Sequence, residues 1–594
     1  MHTSAKLAAL RELMLKKGID GYVIPSGDAH GSGYVPDYWR TREWFSGFTG
    51  SAGTVVVTAD KAGLWTDGRY FIQAANELKG SGIELYKVGE PGVPSYKEFL
   101  QKNLPQIGKL AFDGRVLAAS EFETLKSTLK DKNIIYAYQD DYVGGLWKDR
   151  PSLPVKPAFE HEQRFAGLSA SEKLSKVRKK MKDKNFTAYL TAGLDDVAWL
   201  LNIRGWDLPN LPVVYSYGLI SETEAHIFMD PAKIEDISAK LTFQGFTLHG
   251  YDELANFLAT FVTEKLYYNP AKANVMLVES IPKNVKTAKK PVDDIIPLLK
   301  AVKSPEELAN IKNAFIKEGV AMVKMLKWIS EALTGGNFLR YKEGDVVRAL
   351  ENFRKEQAYY LCDSFPTIAA YGGNGAQAHY NSGAEGAPLH ADGFLLVDTG
   401  GQYLDGTTDT TRTIALGRLT DEMKRDFTLV LKGHIAFSRA KFLKGTTGSA
   451  LDVLARMPLW EVGLNYNHGT GHGLGYCLNV HEGPHNAATR HNVTELTPGM
   501  LITNEPAIYK EGRYGIRTEN VLVVVENEKT PDGTFFSFES ITHCPIDLRA
   551  INTSLLTDIE RNWLNNYHRR TYDTLAPLLS PDECQWLKVA TREI

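Results

Sequence analysis

Four carboxylates standing at the ends of apolar, strand-like runs constrain this chain more than any other feature. Asp398 closes Phe394-Leu395-Leu396-Val397, and Asp409 opens the β-branched stretch Thr410-Thr411-Arg412-Thr413-Ile414. Glu505 closes Met500-Leu501-Ile502-Thr503-Asn504, and Glu519 stands just before Val521-Leu522-Val523-Val524-Val525. Such segments read as strands, and bare carboxylates at their ends would be costly to bury. Cations bridging the four remove that cost. Turn formers (Gly400, Gly401, Asp405, Gly406) separate the first pair, and Glu511-Gly512-Arg513-Tyr514-Gly515 separates the second. Each pair is therefore expected at the mouth of a β-hairpin or a slightly longer antiparallel connection. Two such connections can present four carboxylates to one point. His472 adds a nitrogen from the glycine-rich loop Asn467-His468-Gly469-Thr470-Gly471-His472-Gly473.

Oxygen-rich ligation with a single imidazole and no thiolate favours manganese, cobalt or zinc over iron–sulfur or copper chemistry. Two ions roughly 3.5–4 Å apart can hold a bridging hydroxide and bring a water pKa down to about 7. Hydrolysis of a carbonyl or phosphoryl compound is the chemistry this implies. Taken singly, each carboxylate is an ordinary strand end and a histidine in a glycine-rich loop is structural. One site accounts for all five residues where five separate explanations would otherwise be needed. Asp405-Gly406 reads as a turn only, and Cys477 as a small core residue. The glycines do not make a nucleotide loop: Leu474 occupies the third glycine position of GxGxxG, and GxxxxGK[ST] is absent.

A chain of 594 residues is too long for one core and should hold about three domains. With 68 basic against 71 acidic residues, no basic field advertises nucleic acid. The N-terminal residues form an amphipathic helix pattern with Leu7, Leu10, Leu13, Met14 and Leu15, not a signal peptide, and no apolar run reaches the ~18–20 residues of a membrane span. Four scattered cysteines, Cys362, Cys477, Cys544 and Cys584, argue against a disulfide framework. The expectation is a reduced, cytoplasmic protein.

The proline-rich stretch Arg150–Pro157 and the region from Lys289-Lys290-Pro291 to Ser304-Pro305-Glu306-Glu307 mark the boundaries. Ser304 reads as an N-cap with proline at the first helical position. The expected domains are 1–155, 156–302 and 303–594. The first two resemble each other. A helix pattern over 6–17 leads into Gly21-Tyr22-Val23-Ile24-Pro25, a Trp44 motif and Thr54-Val55-Val56-Val57. A Lys-rich helix near 172–183 leads into Ala188-Tyr189-Leu190-Thr191, a Trp199 motif and Val213-Val214-Tyr215. A duplicated α/β domain follows from that order. Asp67-Gly68-Arg69-Tyr70 reads as a turn with a structural ion pair.

The ordered set Asp398, Asp409, His472, Glu505 and Glu519 resembles the pita-bread metallopeptidases. Val397-Asp398-Thr399-Gly400-Gly401 through Asp409, His468–Gly473 and Asn479-Val480-His481-Glu482-Gly483-Pro484 are most similar to Xaa-Pro aminopeptidases. The resemblance covers essentially the whole chain. It implies an α+β protein: a C-terminal pita-bread catalytic domain with a C-terminal extension, preceded by two related α/β domains like the creatinase N-terminal domain. It implies a homodimer that removes the residue ahead of proline from short peptides, using two divalent metal ions, usually manganese. By the same resemblance Asp398 contacts one metal, Asp409 and Glu519 contact both, and His472 and Glu505 complete the other shell. Glu505 accepts the proton of the attacking water. His379 and His481 match the histidines that bind substrate and stabilise the intermediate, and His468 and Arg517 match positions supporting substrate or the metal carboxylates. Phe365, Tyr371 and Tyr380 are candidate walls of a proline pocket or ordinary packing. Prolidase, which takes Xaa-Pro dipeptides, is the close alternative, and the duplicated front domains and long tail favour the aminopeptidase. Creatinase shares the fold without metals. Histone-chaperone subunits carry an inactive copy without the ligand set.

Overall fold

The structure is a computed structural model and describes residues 2–33, 35–334 and 340–594. Two compact units divide the chain: Met1–Glu160 with Leu168–Ile296, and His161–Gly167 with Pro297–Ile594.

The first unit holds two six-stranded sheets of one topology. Helix α1 (Thr3–Lys17) ends where Gly18 takes a left-handed φ of 61°, with the amides of Gly18 and Ile19 bonded back to Leu15 and Met14 carbonyls. It feeds β1 (Gly21–Pro25), followed by β2 (Thr54–Thr58), β3 (Ala62–Thr66), β4 (Glu84–Lys87), β5 (Ile107–Phe112) and β6 (Asn133–Ala137). Their order across the sheet is β4-β3-β2-β1-β5-β6. Helix α2 (Ala170–Asp183), capped by a Ser169–Glu172 box, feeds the second set. That set is β7 (Ala188–Thr191), β8 (Ser216–Ser221), β9 (Ala225–Met229), β10 (Thr247–His249), β11 (Lys265–Tyr268) and β12 (Lys286–Ala288). It assembles as β10-β9-β8-β7-β11-β12. The order is the same with every number advanced by six, and the sense of pairing repeats as well. The central strand of each sheet runs antiparallel to its successor and parallel to β5 or β11. The repeat expected from the sequence is a real duplication, although the strand expected at Val213-Val214-Tyr215 instead runs Ser216–Ser221. Asp67 and Arg69 form the expected ion pair within their turn, at 2.8 Å.

The longest helix of the second unit is α3 (Pro305–Thr334), whose start is the anticipated cap: the Glu307 amide donates to Ser304 Oγ (3.2 Å) and the Ser304 amide to Glu307 Oε2 (2.8 Å). After α4 (Glu343–Lys355) come β13 (Ile368–Tyr371), β14 (Phe394–Thr399) and β15 (Thr410–Ala415), an antiparallel sheet in that order. Alternation along β14 sends Leu395 and Val397 into a core with Met322 and Met325 of α3, while Phe394 packs with Phe427 and Val430 of α5 (Asp421–Ser438). Both faces are covered, which is why the run is continuously apolar rather than alternating. Next come α6 (Gly448–Trp460), β16 (Gly471–Gly473), β17 (Glu482–Ala487), β18 (Leu501–Asn504), β19 (Ala507–Lys510), β20 (Tyr514–Arg517), β21 (Asn520–Thr530) and β22 (Gly533–Ser540). Helices α7 (Asp558–Leu575) and α8 (Pro581–Ala590) follow.

One expectation needs correcting. Asp405 is more than a turn residue: it is buried, and accepts from Lys317 Nζ (2.6 Å) and Asn313 Nδ2 (2.7 Å) on α3. A second buried network lies beside the end of β14. Arg354 of α4, fully buried, donates to Glu318 (2.6 Å), Asp363 (2.9 Å) and Thr399 Oγ1 (2.7 Å), the last being the neighbour of Asp398. Removing one partner of a buried pair leaves the other uncompensated. Glu318→Ala should therefore lower unfolding stability by about 3–5 kcal/mol in denaturant titrations. A loss below about 1 kcal/mol would mean that Asp363 alone holds the guanidinium.

Candidate metal centre

Both carboxylate pairs sit where one antiparallel ladder opens into an excursion. Asp398 pairs with Thr411 and Thr399 with Thr410 across β14 and β15, and the ten residues between carry a small extra hairpin. Across β18 and β21, Asn504 pairs with Asn520, and the excursion is the β19–β20 hairpin. In each case one acid follows the first strand or closes it, and its mate immediately precedes the returning strand. The ladders are joined where the Glu519 amide donates to the Thr411 carbonyl, at 3.1 Å. The Glu505 amide donates to the Thr470 carbonyl (2.8 Å), tying the histidine loop to the second pair.

That loop is glycine-rich because backbones crowd there. A Cβ on Gly471 would stand 1.8 Å from the Thr503 carbonyl oxygen of β18. Close approach brings His472 to the acids: its Nε2 lies 3.5 Å from Asp409 Oδ2 and 3.8 Å from Glu505 Oε1. Nδ1 faces the Gly473 carbonyl at 2.9 Å, so the proton sits on Nδ1 and the Nε2 lone pair faces the carboxylates. Burial, and then His481, lower the His472 pKa to about 3, which keeps the ring neutral. Ligand atoms of Asp409, His472 and Glu519 all fall within 4.8 Å of one another.

Electrostatics point the same way. Burial, reinforced by Glu519, Asp398 and Glu505, pushes Asp409 well above the carboxylate range. Burial and Glu519 do the same to Glu505, and burial with Asp398 raises Glu519 to about 7. Without a cation these carboxyls must hold protons. Asp398 Oδ1 is buried with no hydrogen-bond partner among the described residues. An orphaned carboxylate oxygen, a neutral imidazole lone pair and three proton-holding acids fit divalent metal ions.

The remaining candidates surround this point. Arg517, buried at the end of β20, pairs through Nη2 with Asp398 Oδ2 and donates through Nη1 to the Tyr509 hydroxyl (2.5 Å). The Tyr509 hydroxyl reaches His468 Nε2 at 2.9 Å, while His468 Nδ1 faces the Gly469 carbonyl at 2.7 Å. A hydrogen-bonded chain thus runs His468–Tyr509–Arg517–Asp398. Burial, and then Arg517, lower His468 to about 3. His481 stacks at an angle on His472 with ring centroids 4.4 Å apart, and burial lowers its pKa. Contacts thus link His468, His481, Arg517, Asp398 and Glu505 to the group formed by Asp409, His472 and Glu519, and Tyr380, beside His379 in the chain, is held by Glu343.

Three contributors went unread in the sequence. Tyr509 links His468 to Arg517, and Thr411 donates to Glu519 Oε2 at 2.7 Å while accepting from Arg517 Nε at 3.3 Å. Glu343, fully buried, accepts from the Tyr371 amide (2.7 Å), Asn374 Nδ2 (3.0 Å), the Tyr380 hydroxyl (2.9 Å) and the Ala387 amide (2.7 Å). It organises the loop that carries His379. Of the candidate pocket walls, Tyr380 is thereby tied to Glu343, Tyr371 donates to Asp392 (2.5 Å), and Phe365 packs against the core around Ile311, Phe315 and Val523.

Fold and site together define a metallopeptidase of the pita-bread type. The sequence model described as "Metallopeptidase family M24" matches residues 309–526, and the C-terminal region of peptidase M24 matches 534–594. The Creatinase/Prolidase N-terminal domain is matched twice, at 6–139 and 149–307. A probable Xaa-Pro aminopeptidase P of Laccaria bicolor is 39% identical over 99% of this chain and 93% of its own length. Aminopeptidase P2 of Arabidopsis thaliana is 37% identical over 99% and 88%. The crystal structure of an X-prolyl aminopeptidase from Caenorhabditis elegans, described as a cytosolic enzyme with a di-nuclear active site, superposes with a TM-score of 0.94 at 34% identity over all of both chains. The chain belongs to the Xaa-Pro aminopeptidase family.

Metal uptake by the metal-depleted protein must expel the protons that Asp409, Glu505 and Glu519 hold. At about pH 6 more than one proton should be released per chain, and the release should shrink as pH rises past about 7. The sign follows from raised folded-state pKa values. In the metal-free fold these three carboxyls bind more protons than they do in the unfolded chain, so their contribution to its stability falls as pH climbs from the ordinary carboxylate range through about 7. Calorimetry in buffers of different ionisation enthalpy measures the release. Uptake without proton release at pH 6 would contradict this account.

Proposed function

We propose that this enzyme removes the N-terminal residue ahead of proline from short peptides, using divalent metal ions held by Asp398, Asp409, His472, Glu505 and Glu519. The observation that carries the reading is the convergence of three of those ligands within 4.8 Å, in a chain aligned end to end with Xaa-Pro aminopeptidases. When bound, the metals supply Lewis acidity and a water ionised near neutral pH. Glu505 accepts the proton of the attacking water and returns it to the leaving nitrogen, a secondary amine that needs protonation. His379 and His481 bind substrate and stabilise the tetrahedral species, while His468 and Arg517, through Tyr509, hold Asp398 and the substrate end of the site. An Xaa-Pro bond has no amide N–H and a fixed φ, so it needs a site shaped for the ring. We assign manganese as the native metal on the oxygen-rich donor set, with zinc or cobalt as substitutes.

We retain 1–155, 156–302 and 303–594 as the domain division. No helix among the described residues is long and apolar enough to cross a membrane. A cytoplasmic location is the reading we adopt, supported by the four free cysteines and by the cytosolic C. elegans neighbour. Nothing in the charge balance calls for nucleic acid, with 68 basic against 71 acidic residues. A homodimer accounts for the apolar stripe on and after α6, where Val453 (42% exposed), Met457 (49%), Trp460 (47%) and Val462 (49%) face solvent.

Cleavage of Arg-Pro-Pro should release arginine, while the N-acetylated peptide survives because its amine charge is gone. Alanine in place of the second residue should cost roughly 10–200-fold in kcat/KM, since the ring pocket is left underfilled. Turnover confined to the Xaa-Pro dipeptide would instead identify a prolidase. His481→Ala should cut kcat by about 10²–10⁴-fold with both metals retained, as expected for a lost proton or oxyanion donor. Loss of metal in that variant would make the histidine structural. Light scattering should give twice the chain mass for the parent protein and a monomer for Trp460→Glu, and a monomeric parent at micromolar concentration would reject the dimer.

A further inference from the structure

On the face of β15 opposite Thr411 and its partner Asp398, α3, β15, the segment 545–549 and α8 line a partly open cavity of about 160 Å³. Leu326, Ile329, Ile414, Trp586 and Val589 give it apolar walls. An apolar cavity of ~150 Å³ accommodates a benzene-sized ligand. What distinguishes this one is charge. Arg412, Arg549 and Arg592 line it, and Asp547 is its only acid. Asp547 is already engaged by Arg549, whose Nε and Nη2 donate to its two oxygens at 3.0 and 2.7 Å. Two cations remain.

Arg412 is the unusual one. It is 2% exposed, and every group it donates to is neutral. Its Nε donates to the Pro545 carbonyl, its Nη1 to the Thr411 and Glu519 carbonyls, and its Nη2 to Asn520 Oδ1, the Cys544 carbonyl and the Tyr567 hydroxyl. All its hydrogen-bonding capacity is used, yet among the described residues no carboxylate pairs with it. Among the described residues, the side chain of Arg592 donates to the Val589 carbonyl alone, at 3.0 Å. A buried cation without a counter-ion is costly, and a pocket that sets Arg412 and the exposed Arg592 among apolar walls is complementary to an anion carrying an apolar body. A zwitterionic amino acid fits less well, because its ammonium would find no free acid.

We propose that this cavity is a second binding site, specific for a small apolar monocarboxylate of benzoate size, and that its occupant is coupled to metal retention. The coupling follows from a shared group: the guanidinium lining the cavity also holds the backbone carbonyl of Glu519, a proposed metal ligand. An anion that draws on Arg412 alters that hold, and linkage makes the effect reciprocal. The coupling half rests on the metal assignment, but the binding half does not.

The test is calorimetric titration of the metal-loaded full-length enzyme with benzoate, benzyl alcohol and phenylalanine. Benzoate should bind saturably. Benzyl alcohol, with the same body and no charge, should bind at least about tenfold more weakly, as should phenylalanine. Arg592→Glu should weaken benzoate by about tenfold or more while leaving the unfolding midpoint unchanged, and Ser330→Trp should fill the cavity and abolish binding. If the tryptophan variant does not fold, the exposed Arg592 position still decides. No saturable binding up to about 10 mM, or benzoate binding that survives both substitutions, overturns the site; the second result would put the benzoate at the metals. Metal dissociation into excess chelator should change by about threefold or more when benzoate saturates the parent protein. Unchanged dissociation with benzoate bound overturns the coupling.

Discussion

Mutual repulsion among buried carboxylates is the constraint on which the rest of this structure depends. The charges crowded with Asp398 raise the proton affinity of Asp409, Glu505 and Glu519, and burial raises it further. No fold would assemble such a point unless something positive repaid it. Within the protein that is Arg517, paired with Asp398, and the hydroxyl of Thr411, donated to Glu519. One guanidinium cannot neutralise four acids. The deficit is what makes the point a metal site, and the neutral His472 ring beside it adds a lone pair rather than a charge. The same imbalance supplies the chemistry, because a carboxyl whose proton affinity is raised by burial and by its neighbours suits a proton acceptor such as Glu505.

Holding four like charges together demands backbone rigidity, and the two ladders provide it. Each pair of acids straddles the point where an antiparallel ladder opens, so their separation is set by strand spacing rather than by side-chain reach. The excursions then serve separate ends. The one between Asp398 and Asp409 carries Asp405 back to Lys317 on α3, anchoring it in the core. The one between Glu505 and Glu519 carries Tyr509 and Arg517 toward the centre, where they connect His468 to Asp398.

Much of this was legible because the period and the punctuation agree. Apolar runs ending in acids, with glycine and aspartate between them, have few foldings other than paired antiparallel strands, and the helix cap at Ser304 is a local signal read by local rules. The duplication of the front half was legible for the same reason, since helix, strand and tryptophan recur in order. Glu343, Tyr509 and Arg412 were not. Glu343 opens an ordinary amphipathic helix and finds its partners 28 to 44 positions away. Tyr509 sits in an apolar strand where any aromatic residue would look like packing. Asp405 was underread because its partner Lys317 lies 88 positions upstream on α3. Buried polar contacts of long sequence separation leave no period behind them, and a chain read without its fold cannot pair them.

Three buried arginines show how the scaffold meets the electrostatic problem. Arg354 reaches Thr399 beside Asp398, Arg517 reaches Asp398 itself, and Arg412 grips the carbonyls of Thr411 and Glu519. Each lies at or beside a ladder mouth, and each makes several bonds in one plane. A lysine in any of these places would bring the charge but only three donors from a single nitrogen, and could not span two strands. The three differ in how their charge is met. Arg354 is answered by Glu318 and Asp363, and Arg517 by Asp398, but Arg412 only by neutral oxygens. A positive group without a counter-ion of its own thus stands on the strand whose other face carries the hydroxyl that binds Glu519. The uncompensated arginine and the crowded carboxylates are in that sense one arrangement, divided between the two sides of β15.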